Sequence, residues 1–290
     1  MTTEKEMEIL SKLKQALINV SKLPESEFGS LKWRNSKKQE YYLHDWRKNL
    51  YEIPNADINL GTGREAVRSS AAMIFNLLGQ KDFIIGGKKY TSPDYETKFE
   101  AIETDGDMPH VAHLDATFYS KDEAELHAVE AKLLEWANTP KNLSPAYLNA
   151  NMYFERNHKS EDFISFFKTL IDETRKDSDG RFLHKTKKYD AIQMTIHILA
   201  IYNYICKLKD SKIKKIVLHN IVWKYDCEDY KIEESEGNDF VKEANQKFQP
   251  IFKELGVSFE VKYETFQGFK KLIDFSGDEK RIQYLKRYEI

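Results

Sequence analysis

This chain is expected to fold as an α/β domain around a mixed central sheet flanked by helices, and three observations predict it. Hydrophobic residues make up 41% of the 290 residues and charged residues 32%, enough to bury a core and keep a charged surface. Apolar residues recur at helical spacing in several windows. Between those windows lie strand-like stretches, some arranged as hairpins and some separated by helix-length segments.

The elements are expected in this order. Residues 4–20 read as an amphipathic helix with Leu10, Leu13, Leu17 and Val20 at helical spacing, and Pro24 and Gly29 break the pattern. Residues 30–52 mix aromatic and basic side chains: Trp33, Arg34, Tyr41, Tyr42, Trp46, Arg47, Lys48 and Tyr51. Such a run suits stacking on bases, but a partly buried structural element is the simpler account. Residues 1–60 are thus expected to form a helical, aromatic-rich extension packed on a single domain spanning 1–290. Gly61, Thr62 and Gly63 read as a turn, because the third glycine of a dinucleotide fingerprint is missing. A helix over 64–78 follows, then a hairpin from Phe83 to Tyr90 around Gly86 and Gly87. Strands are expected near 98–104, 111–119 and 126–134, helices over 161–175 and 189–207, a buried strand over 213–223, a helix over 238–254 and a strand over 257–263.

Bulk properties exclude some classes. No apolar run of about 18 residues exists, so no membrane span is expected. The polar start, Met1 to Glu8, lacks the apolar core of a secretion signal. With Cys206 and Cys227 as the only cysteines, a reducing, cytoplasmic setting is expected. The net charge of −2 counts mildly against nucleic acid as a partner. Lysines nonetheless cluster at 185–188 and 207–215. His110 and His113 have metal-type spacing but lack a third ligand nearby, so they read as ordinary strand residues.

The informative segment runs from His113 to Leu134. A polar turn over 120–125 allows its two arms to pair. Side chains alternate along a strand, so Glu130 and Lys132 share one face while Val129, Ala131 and Leu133 take the other. Asp115 can lie across from Glu130 if the register allows. Two carboxylates side by side repel unless a cation joins them. Mg²⁺ takes one or two carboxylates and keeps waters, and a lysine beside it can orient water or offset developing charge. On spacing alone, an exposed strand with a surface ion pair is the simpler account. Other Glu-x-Lys pairs occur at Glu96 and Lys98 and at Glu260 and Lys262. The apolar company of Leu126, Val129, Leu133 and Leu134 favours a central strand, where charged groups need a partner or a purpose.

With Asp115 before Glu130-Ala131-Lys132, the segment resembles the PD-(D/E)xK nuclease superfamily, although Leu114 stands where the family name has proline. Arg68-Ser69-Ser70, then Phe75-Asn76-Leu77-Leu78-Gly79, Phe99-Glu100 and later Gln193 follow the motif order of a bacterial branch of that superfamily known mainly from genome sequences. The similarity covers roughly residues 64–205. It implies a restriction-endonuclease-like fold and Mg²⁺-dependent DNA cleavage, with Mn²⁺ as a substitute. It also implies Asp115 and Glu130 as metal ligands, Lys132 as the catalytic lysine, Glu100 as an auxiliary acid and Gln193 near the site. Arg68, Ser69 and Ser70 are then candidates for DNA contact, or simply the opening of a helix. A restriction enzyme is the most natural setting, with repair or mobile-element processing compatible with the same residues. Cleavage of both strands would suit a homodimer. The competing expectation is a non-catalytic nucleic-acid or protein-binding module on the same fold.

Overall fold

The computed structural model describes residues 3–32, 39–60, 66–104, 108–134, 137, 140–208 and 211–290. In chain order the elements are α1 (Thr3–Ser21), β1 (Phe28–Lys32), β2 (Gln39–Leu43), α2 (Ser70–Leu78), β3 (Phe83–Ile85), β4 (Lys88–Tyr90), β5 (Asp94–Ile102), β6 (His110–Tyr119) and β7 (Glu125–Lys132). There follow α3 (Ser160–Leu170), β8 (Ile171–Lys176), β9 (Phe182–His184), α4 (Ala191–Lys207), β10 (Lys215–Val222), α5 (Glu228–Glu254), β11 (Ser258–Thr265), α6 (Phe266–Lys270) and α7 (Glu279–Leu285).

Five strands form the central sheet in the order β11-β10-β7-β6-β5. The β5–β6 and β6–β7 pairs are antiparallel, while β10 runs parallel to both β7 and β11. Parallel neighbours require crossovers. The segment holding α3 and α4 carries the chain from β7 to β10, and α5 carries it from β10 to β11. The sheet is therefore mixed and the class α/β, as the sequence predicts.

Alternation along the strands creates two cores, one on each face. Leu126, Ala128, Ile216, Leu218, Phe259 and Val261 pack with α3, α4 and α5. On the opposite face Val129, Ala131 and Ile221 pack with α1, α2, α6 and α7. Glu130 and Lys132 alternate with Val129 and Ala131, which aims them at the α4 layer.

Several elements differ from expectation. The helix expected over 64–78 begins at Ser70, because the Ser69 hydroxyl accepts from Ala72 N at 3.1 Å and caps it. Residues 61–65, with the expected Gly-Thr-Gly turn, lie outside the described residues. The helix expected over 161–175 stops at Leu170, and the chain turns into β8, where Ile171 and Thr174 supply β-branched side chains. α5 begins ten residues before the expected 238, its polar first turns masking the apolar period. The N-terminal extension is only partly helical, since β1 and β2 form a hairpin. Nor does it sit outside the core: Leu10, Leu13, Leu17, Leu43 and Tyr51 pack with Tyr284, Leu285 and Tyr288 from the far end of the chain. Of the aromatic and basic run, Tyr51 is buried, Trp46 is packed against that core, Arg47 pairs with Asp45 and Lys48 with Glu27. Trp33 and Arg34 lie outside the described residues. Among the described residues, no helix is long and apolar enough to cross a membrane.

Candidate active site

The turn between β6 and β7 sets the register that builds the site. Ser120 N donates to Glu125 O at 3.0 Å, and Glu125 N donates back to the Ser120 hydroxyl at 2.9 Å. The ladder then pairs Tyr119 with Leu126, Phe118 with His127, Thr117 with Ala128 and Ala116 with Val129. One more step would set Asp115 opposite Glu130, but the ladder ends at Ala116. Instead Asp115 Oδ2 accepts from Ala131 N at 2.6 Å. A side-chain carboxylate thus takes the place of a ladder carbonyl where the two strands part. The other edge of β7 stays paired with β10 as far as Lys132 opposite Val222.

Glu130, only 4% exposed, is the centre of the group. Lys132 Nζ donates to Glu130 Oε1 at 2.6 Å and to Gln193 Oε1 at 2.8 Å. Gln193 Nε2 donates to the same Glu130 oxygen at 2.8 Å. His197, one turn along α4, brings Nε2 to 3.2 Å from Glu130 Oε2. Asp190 caps α4 by accepting from Gln193 N at 3.0 Å. The Gln193 side chain, at the position that often reaches back to complete a capping box, is thereby left to serve Glu130. Burial alone would raise the Glu130 carboxyl, but the Lys132 ammonium and His197 outweigh it and hold the group well below the usual carboxylate range.

The polar row continues across the sheet. Register sets Asn220 of β10 beside Glu130, and Tyr263 of β11 beside Asn220. Asn220 Nδ2 donates to Glu130 O at 3.3 Å, while its Oδ1 is buried without a hydrogen-bond partner among the described residues. The same holds for His197 Nδ1 and the Tyr189 hydroxyl. Tyr263 donates its hydroxyl proton to Glu233 Oε2 on α5. Gly237, one turn on, makes room for that ring: a Cβ there would stand 2.5 Å from Tyr263 Cδ2. Burial pushes Glu233 up to about 8, with the Tyr263 hydrogen bond and the nearby Lys132 ammonium pulling the other way.

The structure thus brings Asp115, Glu130, Lys132 and Gln193 together. It sets Glu100 apart. Glu100 pairs in register with Val111, four residues before Asp115, roughly 13 Å along the strand. Its carboxylate meets Arg156 at 2.5 Å and Lys207 at 3.4 Å. The residue bracketed opposite Asp115 is Glu96, since Tyr95 pairs with Ala116 and Thr97 with Leu114. Glu96 has φ of 52°, a left-handed conformation costly for a side chain of this kind, and its carboxylate lies 3.5 Å from His113 Nδ1. Arg68, Ser69 and Ser70 belong to the opposite layer with α2. Arg68 stands 3.8 Å from Glu6 of α1, and Ser69 is the helix cap.

Sequence reasoning missed His197, Asn220, Glu233 and Tyr263, and it set Glu96 aside as part of a rival Glu-x-Lys pair. Two of these left a trace: a histidine four residues after Gln193, and a His-Asn pair inside an otherwise apolar strand. Among the described residues, no group of three or more His, Cys, Asp or Glu side chains is arranged to hold a metal ion. Comparison with models of known protein families, with curated proteins and with solved structures found no match to this chain.

Proposed function

We propose that this chain is a Mg²⁺-dependent DNA endonuclease of the PD-(D/E)xK type on a restriction-endonuclease-like fold. One observation carries the reading: an ionised, buried Glu130 bonded to Lys132 and Gln193, beside Asp115 at the point where two strands part. A buried ion pair stabilises a fold poorly compared with apolar side chains, so its presence in a central strand calls for another reason.

The donor chemistry fits a hard dication. Asp115 and Glu130 offer carboxylate oxygens from adjacent strands, and Asn220 has a buried amide oxygen without a hydrogen-bond partner close by. Two carboxylates suffice for Mg²⁺, which keeps much of its water shell. When bound, the ion would polarise a phosphate oxygen and make water more acidic. The chain's own residues do the rest. Asp115 and Glu130 would hold the ion, and Gln193 fixes the Glu130 carboxylate with His197 close beside it. Lys132 carries a positive charge to the place where negative charge grows as water adds to phosphorus and the P–O bond breaks.

The test uses purified protein with plasmid and phage DNA, in Mg²⁺ and in EDTA. Discrete fragments in Mg²⁺ alone would indicate a sequence-specific cutter of the restriction type, and a smear a non-specific one. Lys132→Ala should lower the rate roughly 10²–10³-fold while leaving DNA affinity nearly unchanged, because one lysine of many adds little to phosphate binding. Lys262→Ala is the control. Lys262 lies 3.7 Å from Glu260, both about 40% exposed, in a surface pair. Equal activity in Lys132→Ala, or loss only in Lys262→Ala, would refute the assignment. Binding without cleavage in the wild type would point to a binding module instead.

A further inference from the structure

A cavity of about 570 Å³ lies against the α4 side of the Glu130 group. Gln193 and His197 line it and also touch Glu130, so its contents stand one side-chain layer from the proposed reaction centre. His197 is among the lining residues and is only 2% exposed. The volume falls in the roughly 300–1,000 Å³ range of small-ligand sites.

The walls divide by chemistry. Ile192 and Ile196 of α4 give an apolar floor, and the rings of Tyr147 and His110 stand 6.0 Å apart beside it. Lys141, Arg181 and His113 supply donors around the space. Among the described lining residues the one carboxylate, Asp177, is committed to its own loop: it accepts from Asn142 Nδ2 at 2.9 Å, from Asp179 N at 3.0 Å and from Arg181 N at 2.9 Å. The Arg181 side chain is 54% exposed, and its guanidinium comes no nearer than 3.8 Å to Asp179. An apolar, ring-edged floor suits the face of a base, and a rim of cations suits a phosphate.

We infer that this cavity seats one unpaired nucleotide of the DNA strand being cut, its base on Ile192, Ile196 and Tyr147 and its phosphate toward Lys141 and Arg181. A base inside a cavity has left its stack, so the substrate is single-stranded or opened at that position. His113, two residues before Asp115 and roughly 7 Å from it along β6, places the cavity beside the proposed reaction centre. The inference rests on the hydrolytic reading of that centre and names the form of substrate it takes.

Binding is measured in EDTA, so that no cleavage intervenes, by fluorescence anisotropy of a fluorescein-labelled ten-nucleotide oligothymidylate and of a blunt duplex of equal length. The proteins are the wild type, Lys141→Glu/Arg181→Glu and Ile196→Trp. The single strand should bind more tightly than the duplex. The double charge reversal should weaken it by tenfold or more, and each lost phosphate contact should flatten the salt dependence by roughly 0.7 in log–log slope. Ile196→Trp fills the floor without touching charge, so it should weaken binding and leave that slope unchanged. Wild-type affinity in both variants, or a duplex preference that neither variant alters, would overturn the inference. If the variants behave as expected but the wild type cuts nothing in Mg²⁺, the nucleotide seat stands and the hydrolytic reading falls. If the wild type cuts and both variants bind and cut equally well, the seat falls and hydrolysis stands.

Discussion

Replacing Glu233 by Gln should remove a pH dependence that the wild-type fold carries at neutrality. Glu233 is 3% exposed, and burial pushes its carboxyl from an ordinary 4.5 up to about 8. In this acid the folded state favours the protonated form. Below the unfolded value both states hold the proton, and the group's contribution to stability is at its fullest. As pH rises above 4.5 the unfolded chain gives up the proton while the fold keeps it, so stability falls until the pH passes about 8. Each pH unit in that window is worth about 1.4 kcal/mol, so the loss between pH 5 and pH 7 is about 3 kcal/mol. Gln keeps an oxygen to accept the Tyr263 hydroxyl but releases no proton on unfolding. Urea unfolding at pH 5, 6, 7 and 8 and constant ionic strength measures the difference between the two proteins, in which the other titrating groups cancel. The variant should gain on the wild type as pH rises, with unchanged m-values. Parallel stability-against-pH curves would refute the assignment of a neutral, proton-holding Glu233.

Three more substitutions test the site's surroundings. Gly237→Ala should cost about 1–3 kcal/mol, because the new Cβ would meet Tyr263 at 2.5 Å and Tyr189 at 3.0 Å; an unchanged melting temperature would show that the ring moves freely. Glu100→Gln should leave Mg²⁺-dependent cleavage unchanged, because that carboxylate serves Arg156 and Lys207, whereas Glu96→Gly should raise the melting temperature by relieving a left-handed residue and should lower cleavage if its carboxylate serves the site. Rate loss in the Glu100 variant alone would reverse the two roles.

The strands were legible where alternation was strong. Val129 to Leu133 alternates cleanly, so the shared face of Glu130 and Lys132 could be read directly, and the polar turn at 120–125 pointed to the hairpin. What joins β5 to β6 was not legible. The register of β5 on β6 fixes which acid stands opposite Asp115, and four residues separate Glu96 from Glu100. The rest of the polar row depends on contacts between distant segments: Asn220 meets Glu130 from 90 residues away, and Gln193 from 63. Local pattern carries no register between parallel strands joined by helices. The start of α5 was hidden for another reason. Its first three turns face solvent over much of their surface, so charged residues dilute the helical period there.

The opposite face of the same strands carries a second set of buried polar groups. There His127 Nδ1 lies 2.8 Å from His219 Nε2, His219 is bonded through Nδ1 to Glu264, and the His127 ring stacks on Phe118 at 4.9 Å. Burial, with His219 next, drives His127 down to about 2, so it is uncharged at neutral pH. The His127 imidazole packs on rings and is bonded through Nδ1, while its Nε2 has no hydrogen-bond partner among the described residues. The α4 face holds an ion pair. Its carboxylate is ionised while buried, its ammonium lies only 16% exposed, and Asn220 Oδ1, His197 Nδ1 and the Tyr189 hydroxyl remain without hydrogen-bond partners around them. Charged groups kept beside unsatisfied polar atoms, next to a cavity, are what a site kept ready for a charged substrate would retain.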